Sequence, residues 1–222
     1  ISREAQDAFA VESQARAAKA IAEGRFRDQI VPVEIASRKG TISFDTDEHP
    51  KPTTPESLAG LRPAFQKDGS VTAGNASGIN DGAAALVLAR ASAARDAGLT
   101  PRARILGYAH AGVRPEVMGV GPIPAVKALL ARTGLSAPDF DVIESNEAFA
   151  AQALAVNAEL GLDPVKVNPN GGAIALGHPV GATGAILTVK ALYELERIGG
   201  RKALITMCIG GGQGIALAIE RI

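Results

Sequence analysis

Three short stretches place an amide, an imidazole and a thiol where strand patterns end. Asn146 opens Asn146-Glu147-Ala148-Phe149-Ala150-Ala151-Gln152. His178 lies in Asn168-Pro169-Asn170-Gly171-Gly172-Ala173-Ile174-Ala175-Leu176-Gly177-His178-Pro179-Val180-Gly181-Ala182-Thr183-Gly184. Cys208, the only cysteine, enters Met207-Cys208-Ile209-Gly210-Gly211-Gly212-Gln213-Gly214. Glycines make tight turns and close backbone approach possible, and Pro179 fixes the chain directly after the imidazole. A histidine in such a loop can face a ligand from a helix N-terminus. A thiol near a histidine is readily ionised, and the thiolate is the active base. Together the three groups suit acid/base and nucleophilic chemistry. The alternative is a structural glycine turn holding an incidental histidine.

The elements that must hold these groups alternate from Arg104 onward. Strands are expected at residues 105–109, 141–144, 165–167, 203–207 and 215–219, with helices at 122–132, 148–160 and 185–198. That alternation predicts α/β layering with helices on the sheet faces. Earlier, Ser2 caps a helix with Glu4 in its first turn, and Gly24 stops it. A strand follows at 30–35, with Pro32 suggesting an edge. The cluster Asp45-Thr46-Asp47-Glu48-His49 reads as a hard-metal site or a solvated loop, and adjacency of the ligands within Pro- and Thr-rich flanks favours the loop. A proline-stiffened stretch around Lys51 and a short helix at 57–61 have the composition of a cap or lid. A small-residue turn at 71–78 then leads to a buried strand at 83–88 and a helix at 91–97.

Composition limits the partners. Lys plus Arg equals Asp plus Glu at 23 each, and aromatics are 4% with no Trp, so neither nucleic acid nor an acidic membrane surface is suggested. No apolar run reaches the length of a membrane span. One cysteine and no visible signal peptide fit a reducing, cytoplasmic location. No dinucleotide or phosphate-loop fingerprint is present, because the glycines at 210–214 lead into a strand. The chain begins at Ile1 and enters a helix at once, which reads as part of a longer polypeptide.

Taken together, the three motifs resemble the C-terminal blocks of the thiolases, enzymes that make or break the carbon–carbon bond of 3-oxoacyl-CoA. The resemblance implies a layered α-β-α-β-α fold, represented here by the C-terminal half plus part of the cap. Residues 1–80 would be the rear of the cap with a coenzyme A-binding segment, 81–101 the end of the N-terminal half, and 102–222 the C-terminal domain. His178 would activate a nucleophilic cysteine and donate to the thioester oxygen, Cys208 would be the general acid/base, and Asn146 would position a water in the same oxyanion hole. The amide of Gly210 would serve a second hole. Enolate formation next to a thioester makes such donors effective. Ser57, Leu61, Phe65, Ala73 and Ser77 match positions lining the coenzyme A groove, and Met118 and Phe149 match acyl-pocket positions. Ordinary packing is the alternative for Leu61, Phe65, Met118 and Phe149. Lys51 stands near where relatives often carry an arginine, and its role is open.

On this reading the chain lacks the N-terminal half that bears the nucleophile and is inactive by itself. Its partners would be acyl-CoA substrates, with coenzyme A or acetyl-CoA as substrate and no permanently bound cofactor. Its protein partners would be that missing half and further copies in a homodimer or homotetramer. Two other readings stand beside it. One is a catalytically incomplete coenzyme A-binding or partner-binding module. The other is a decarboxylating condensing enzyme of related fold, a class that typically uses a second histidine in place of Cys208.

Overall fold

The computed structural model describes all 222 residues. The helices are α1 (Arg3–Ala22), α2 (Pro55–Ala59), α3 (Ala91–Asp96), α4 (Pro122–Thr133), α5 (Ala150–Leu160), α6 (Ala173–Leu176) and α7 (Thr183–Ile198). The strands are β1 (Val33–Ser37), β2 (Gly40–Phe44), β3 (Ala103–Gly112), β4 (Val142–Ser145), β5 (Lys202–Ile209) and β6 (Gln213–Arg221).

The main sheet runs β3-β6-β5-β4, with β4 and β5 parallel and the other pairs antiparallel. Side chains alternate across its strands, so adjacent residues enter opposite cores. Val142, Ala203, Ile205 and Ile219 pack with Leu187, Ala191, Leu192 and Leu195 of α7. Their neighbours Ile143, Leu204, Ala216 and Ala218 pack with Ala125, Val126 and Leu129 of α4 on the other face. Each helix presents its apolar residues at spacings of three and four, as burial on one side requires.

The long first helix α1 buries Gln6, Ala10, Ser13, Ala17 and Ala20, again at spacings of four and three. Beyond Gln6 this face is made of small residues, which lets α1 lie close against α2, α5 and α6. Ser2 Oγ accepts from the Ala5 amide at 3.2 Å, the cap expected from the sequence. Arg3 and Asp7 then tie down α2 and the turn beyond it. Arg3 donates to the Leu58 and Leu61 carbonyls, and Asp7 accepts from the buried Asn75 amide at 2.8 Å.

Several expectations are corrected. The segment at 83–88 forms no strand, and Val87 and Leu88 are exposed, because no neighbouring strand bonds it. The expected strand at 165–167 is a single bridge, Ile143 to Val167. The strand at 30–35 shifts to β1 and pairs with β2 in an exposed hairpin that the sequence patterns did not indicate. The stacked two-sheet fold is therefore represented by one four-stranded sheet between helices. No helix is long and apolar enough to cross a membrane.

Candidate active site

Parallel strands β4 and β5 end side by side, and ligands of α/β proteins gather at such strand ends. Asn146 directly follows β4, and Cys208 is the second-last residue of β5. The third group arrives by the loop between α6 and α7. His178 follows Gly177, whose φ of 92° and approach to Asn80 exclude a side chain: a Cβ there would lie 2.5 Å from Asn80 Oδ1. Asn80 Oδ1 accepts from the His178 amide at 3.1 Å, so this segment fixes the histidine backbone.

The side chains of Asn146 and His178 meet, with Nδ2 and Nε2 3.4 Å apart. His178 Nδ1 lies 2.7 Å from Thr183 Oγ1, and that hydroxyl donates to the Pro179 carbonyl at 2.9 Å. Because its one hydrogen is committed there, Thr183 accepts from His178, which puts the imidazole proton on Nδ1 and a lone pair on Nε2. Burial holds the His178 pKa below its ordinary value, which favours this neutral form. Cys208 is buried and makes no side-chain hydrogen bond to His178 or Asn146, and burial pushes its thiol pKa up. The expected easy ionisation is thus corrected, because desolvation outweighs any neighbouring donor. Gly210 is exposed in the β5–β6 turn, and its amide donates to no other loop or turn carbonyl.

The other candidate residues separate into two groups. The turn at 71–78 is stitched to the Asn146 loop: Ser77 N donates to Ala148 O at 3.0 Å and Ala150 N to Asn75 O at 2.9 Å. Phe65, largely exposed, meets Phe149 edge-on with ring centroids 6.1 Å apart. Leu61 packs beside Gly74, next to the exposed Ala73. Met118, half-buried in a 3-10 turn at Pro115–Val120, lies in a segment that contacts α5, β5 and β6. Ser57 stands apart. Its hydroxyl closes a capping box with Thr54 at the start of α2. Lys51 is joined to the fold through its backbone, which donates to Gln14 at 3.0 Å, while its side chain is exposed.

Sequence reasoning passed over Thr183, Asn80 and a buried polar layer beneath the site. Lys190 on α7 donates to Glu144 at 2.8 Å and to the Gly171 carbonyl at 2.7 Å. Asn168, at a left-handed φ of 45°, exchanges bonds with both the amide and carbonyl of Ser145. The signal available was a charged residue inside an apolar helix pattern, Lys190, and two carboxylates flanking Ser145 and Asn146.

Comparison with known proteins matches residues 1–92 to the family described as "Thiolase, N-terminal domain" and residues 99–221 to "Thiolase, C-terminal domain". A Cupriavidus necator protein named beta-ketothiolase BktB is 60% identical over 224 residues, covering 100% of this chain and 57% of that protein. A Pseudomonas putida beta-ketoadipyl-CoA thiolase is 60% identical over 225 residues, covering 100% and 56%. The crystal structure of Bacillus anthracis acetyl-CoA acetyltransferase superposes with a TM-score of 0.97 at 54% identity, covering 100% of this chain and 57% of that one. The chain thus spans little more than half the length of these relatives. The expected organisation is corrected by the family matches. Residues 1–92 are N-terminal-domain sequence, so the chain draws on both thiolase domains and is not a C-terminal portion with the first domain missing. The division of labour with a separately supplied N-terminal half falls with that expectation. With both domain matches and this identity over its whole length, the chain belongs to the thiolase family.

Proposed function

We propose that this chain acts on coenzyme A thioesters, supplying the α-proton transfer of thiolase-type chemistry, the step that precedes joining and follows cleavage of 3-oxoacyl-CoA, without a permanently bound cofactor. The observation that carries this reading is the meeting of Asn146 and His178 at 3.4 Å, at the strand ends that also hold Cys208. The thioester oxygen of acetyl-CoA sits against His178 and Asn146, with the α-carbon toward Cys208. The Cys208 thiol first releases its proton to solvent, against the burial that raises its pKa. The thiolate Sγ then takes the α-proton, the C–H electron pair passes to the thioester oxygen as an enolate, and the donors at that oxygen lower the barrier. The His178 tautomer orders its two roles. Its bare Nε2 first accepts a proton from solvent, and the resulting imidazolium then donates through Nε2–H to the oxyanion.

The elevated thiol pKa suits Cys208 to the protonating direction, where a carbanion must receive a proton. The segment from Ser57 to Ser77, joined to Phe149 and Ala148, is the groove we assign to the pantetheine arm, with Met118 and Phe149 beside the acyl group. The names of the relatives, a beta-ketothiolase and a beta-ketoadipyl-CoA thiolase, support 3-oxoacyl thioesters as the substrate class. The single free thiol supports a cytoplasmic location.

Covalent acyl transfer needs a nucleophile besides the acid/base, and this chain has one thiol. The step assigned to it is therefore α-proton transfer, with no net thiolysis by the chain alone. The test is deuterium entry into the methyl group of acetyl-CoA in heavy water, alongside acetoacetyl-CoA cleavage. Exchange that disappears in Cys208→Ala and slows in His178→Ala, with no cleavage, is expected. Exchange that survives Cys208→Ala, or robust cleavage by the pure chain, would overturn the reading.

A further inference from the structure

The side chain next to Asn146 is a carboxylate sealed inside the protein. Glu147 is 2% exposed, and the proposed proton transfers do not use it. Its oxygens accept three hydrogen bonds from three parts of the fold. Oε2 accepts from Ser13 Oγ of α1 at 2.7 Å and from the Ile174 amide in α6 at 3.3 Å. Oε1 accepts from Asn168 Nδ2 at 2.8 Å. Ser13 Oγ also accepts from the Gly172 amide at 3.1 Å, so its own hydrogen is free for Glu147. Every partner is a donor, so the three bonds favour the ionised carboxylate and oppose the burial that pushes the Glu147 pKa up.

Sterics single out the same contact. A Cβ on Gly172 would lie 2.1 Å from the Glu147 carboxyl carbon, so the backbone of the histidine loop is seated directly on the carboxylate. Gly172 and Ile174 lead through α6 and Gly177 into His178. One buried group thus joins the loop bearing Asn146 to the loop bearing His178, and holds both against α1. Neutral substitution is unsuitable even at equal size. An amide nitrogen at Oε1 would face Asn168 Nδ2, and Asn168 cannot turn over because its Oδ1 already accepts from the Ser145 amide. Turned the other way, at Oε2, the nitrogen would face the Ile174 amide donor instead.

We propose that Glu147 is the positioning residue for the Asn146–His178 pair, setting their separation by clamping the two loops through its carboxylate. The proposal rests on the thiolase-type function for its catalytic consequence, while its structural content stands apart from it.

The experiment compares the chain with Glu147→Gln, Ser13→Ala and Leu129→Ala. Leu129 of α4 is fully buried in the core and makes none of the Glu147 contacts, so its truncation lowers stability without removing any bond of the clamp. Three quantities are read: the 15N shifts of the His178 ring, hydrogen exchange at the Gly172 and Ile174 amides, and the kcat and KM of acetyl-CoA α-proton exchange. Glu147→Gln is expected to move the His178 shifts and to speed both amides by about tenfold, the loss of one charge-assisted bond. It is also expected to lower kcat about tenfold at nearly constant KM. Leu129→Ala should leave the His178 shifts in place. If Glu147→Gln does not fold, Ser13→Ala decides, since it removes one donor and keeps the carboxylate. His178 shifts unchanged in the folded variant, or equally changed in Leu129→Ala, would overturn the proposal. Absence of α-proton exchange in the unaltered chain would instead count against the proposed function, with the ring and amide readings still deciding the role of Glu147.

Discussion

Thr183→Val keeps the branched shape at the start of α7 and deletes one hydroxyl. That hydroxyl accepts from His178 Nδ1 at 2.7 Å and donates to Pro179 O at 2.9 Å. The Pro179 carbonyl keeps the Ala182 and Thr183 amides as donors, so the variant leaves only the imidazole N–H without its partner. A neutral hydrogen bond contributes about 1 kcal/mol, and an unpaired donor in a half-buried site costs about 1 kcal/mol more, so stability should fall by about 1–2 kcal/mol. The bond supports only the Nδ1–H tautomer, so its loss should shift the tautomer ratio toward Nε2–H by about fivefold. Urea denaturation reads the first quantity and 15N ring shifts the second. A lone pair on Nδ1 in the unaltered chain, or the same ring spectrum in both chains, would refute the tautomer and the ordering of roles built on it.

The same geometry sets three further outcomes. Lys190→Met leaves the Glu144 carboxylate buried without its cation, and should cost about 3–5 kcal/mol in denaturation, of which a paired Glu144→Gln change should recover a part. NMR titration should place the His178 midpoint below its ordinary 6.5, because burial lowers it. The unfolded chain then takes up that proton first, so the His178 contribution to stability is complete above about pH 6.5 and is lost as pH falls through the lowered folded value. Phe65→Ala removes an exposed ring that meets Phe149 edge-on, and should change stability by about 1 kcal/mol or less while raising the coenzyme A Kd about fivefold, read by calorimetry.

Much of the second part of the chain was legible because its signals are local. The glycines at 134, 161 and 199 end α4, α5 and α7 where the sequence stops them. Alternating small and branched residues mark β5 and β6 to within two residues. The segment at 83–88 misled because an apolar run states a preference for extended backbone but cannot supply the strand that would bond it. In the site, glycine turns made His178 and Cys208 visible. Thr183, Asn80 and Glu147 were not assigned roles, because their function depends on contacts across many residues, such as Ser13 to Glu147. The ionisation of Cys208 was misjudged for a related reason. Neighbouring motifs suggest a nearby histidine, but burial is a property of the folded chain and here it dominates.

The most direct measurement is a crystal structure of the chain with acetyl-CoA bound. The expected density has the pantetheine arm along the segment from Ser57 to Ser77. The thioester oxygen should lie within hydrogen-bond distance of His178 Nε2, and the acetyl methyl should face Cys208 Sγ. Acetyl-CoA bound elsewhere, or bound there with its thioester turned away from His178 and Cys208, would contradict the proposed chemistry.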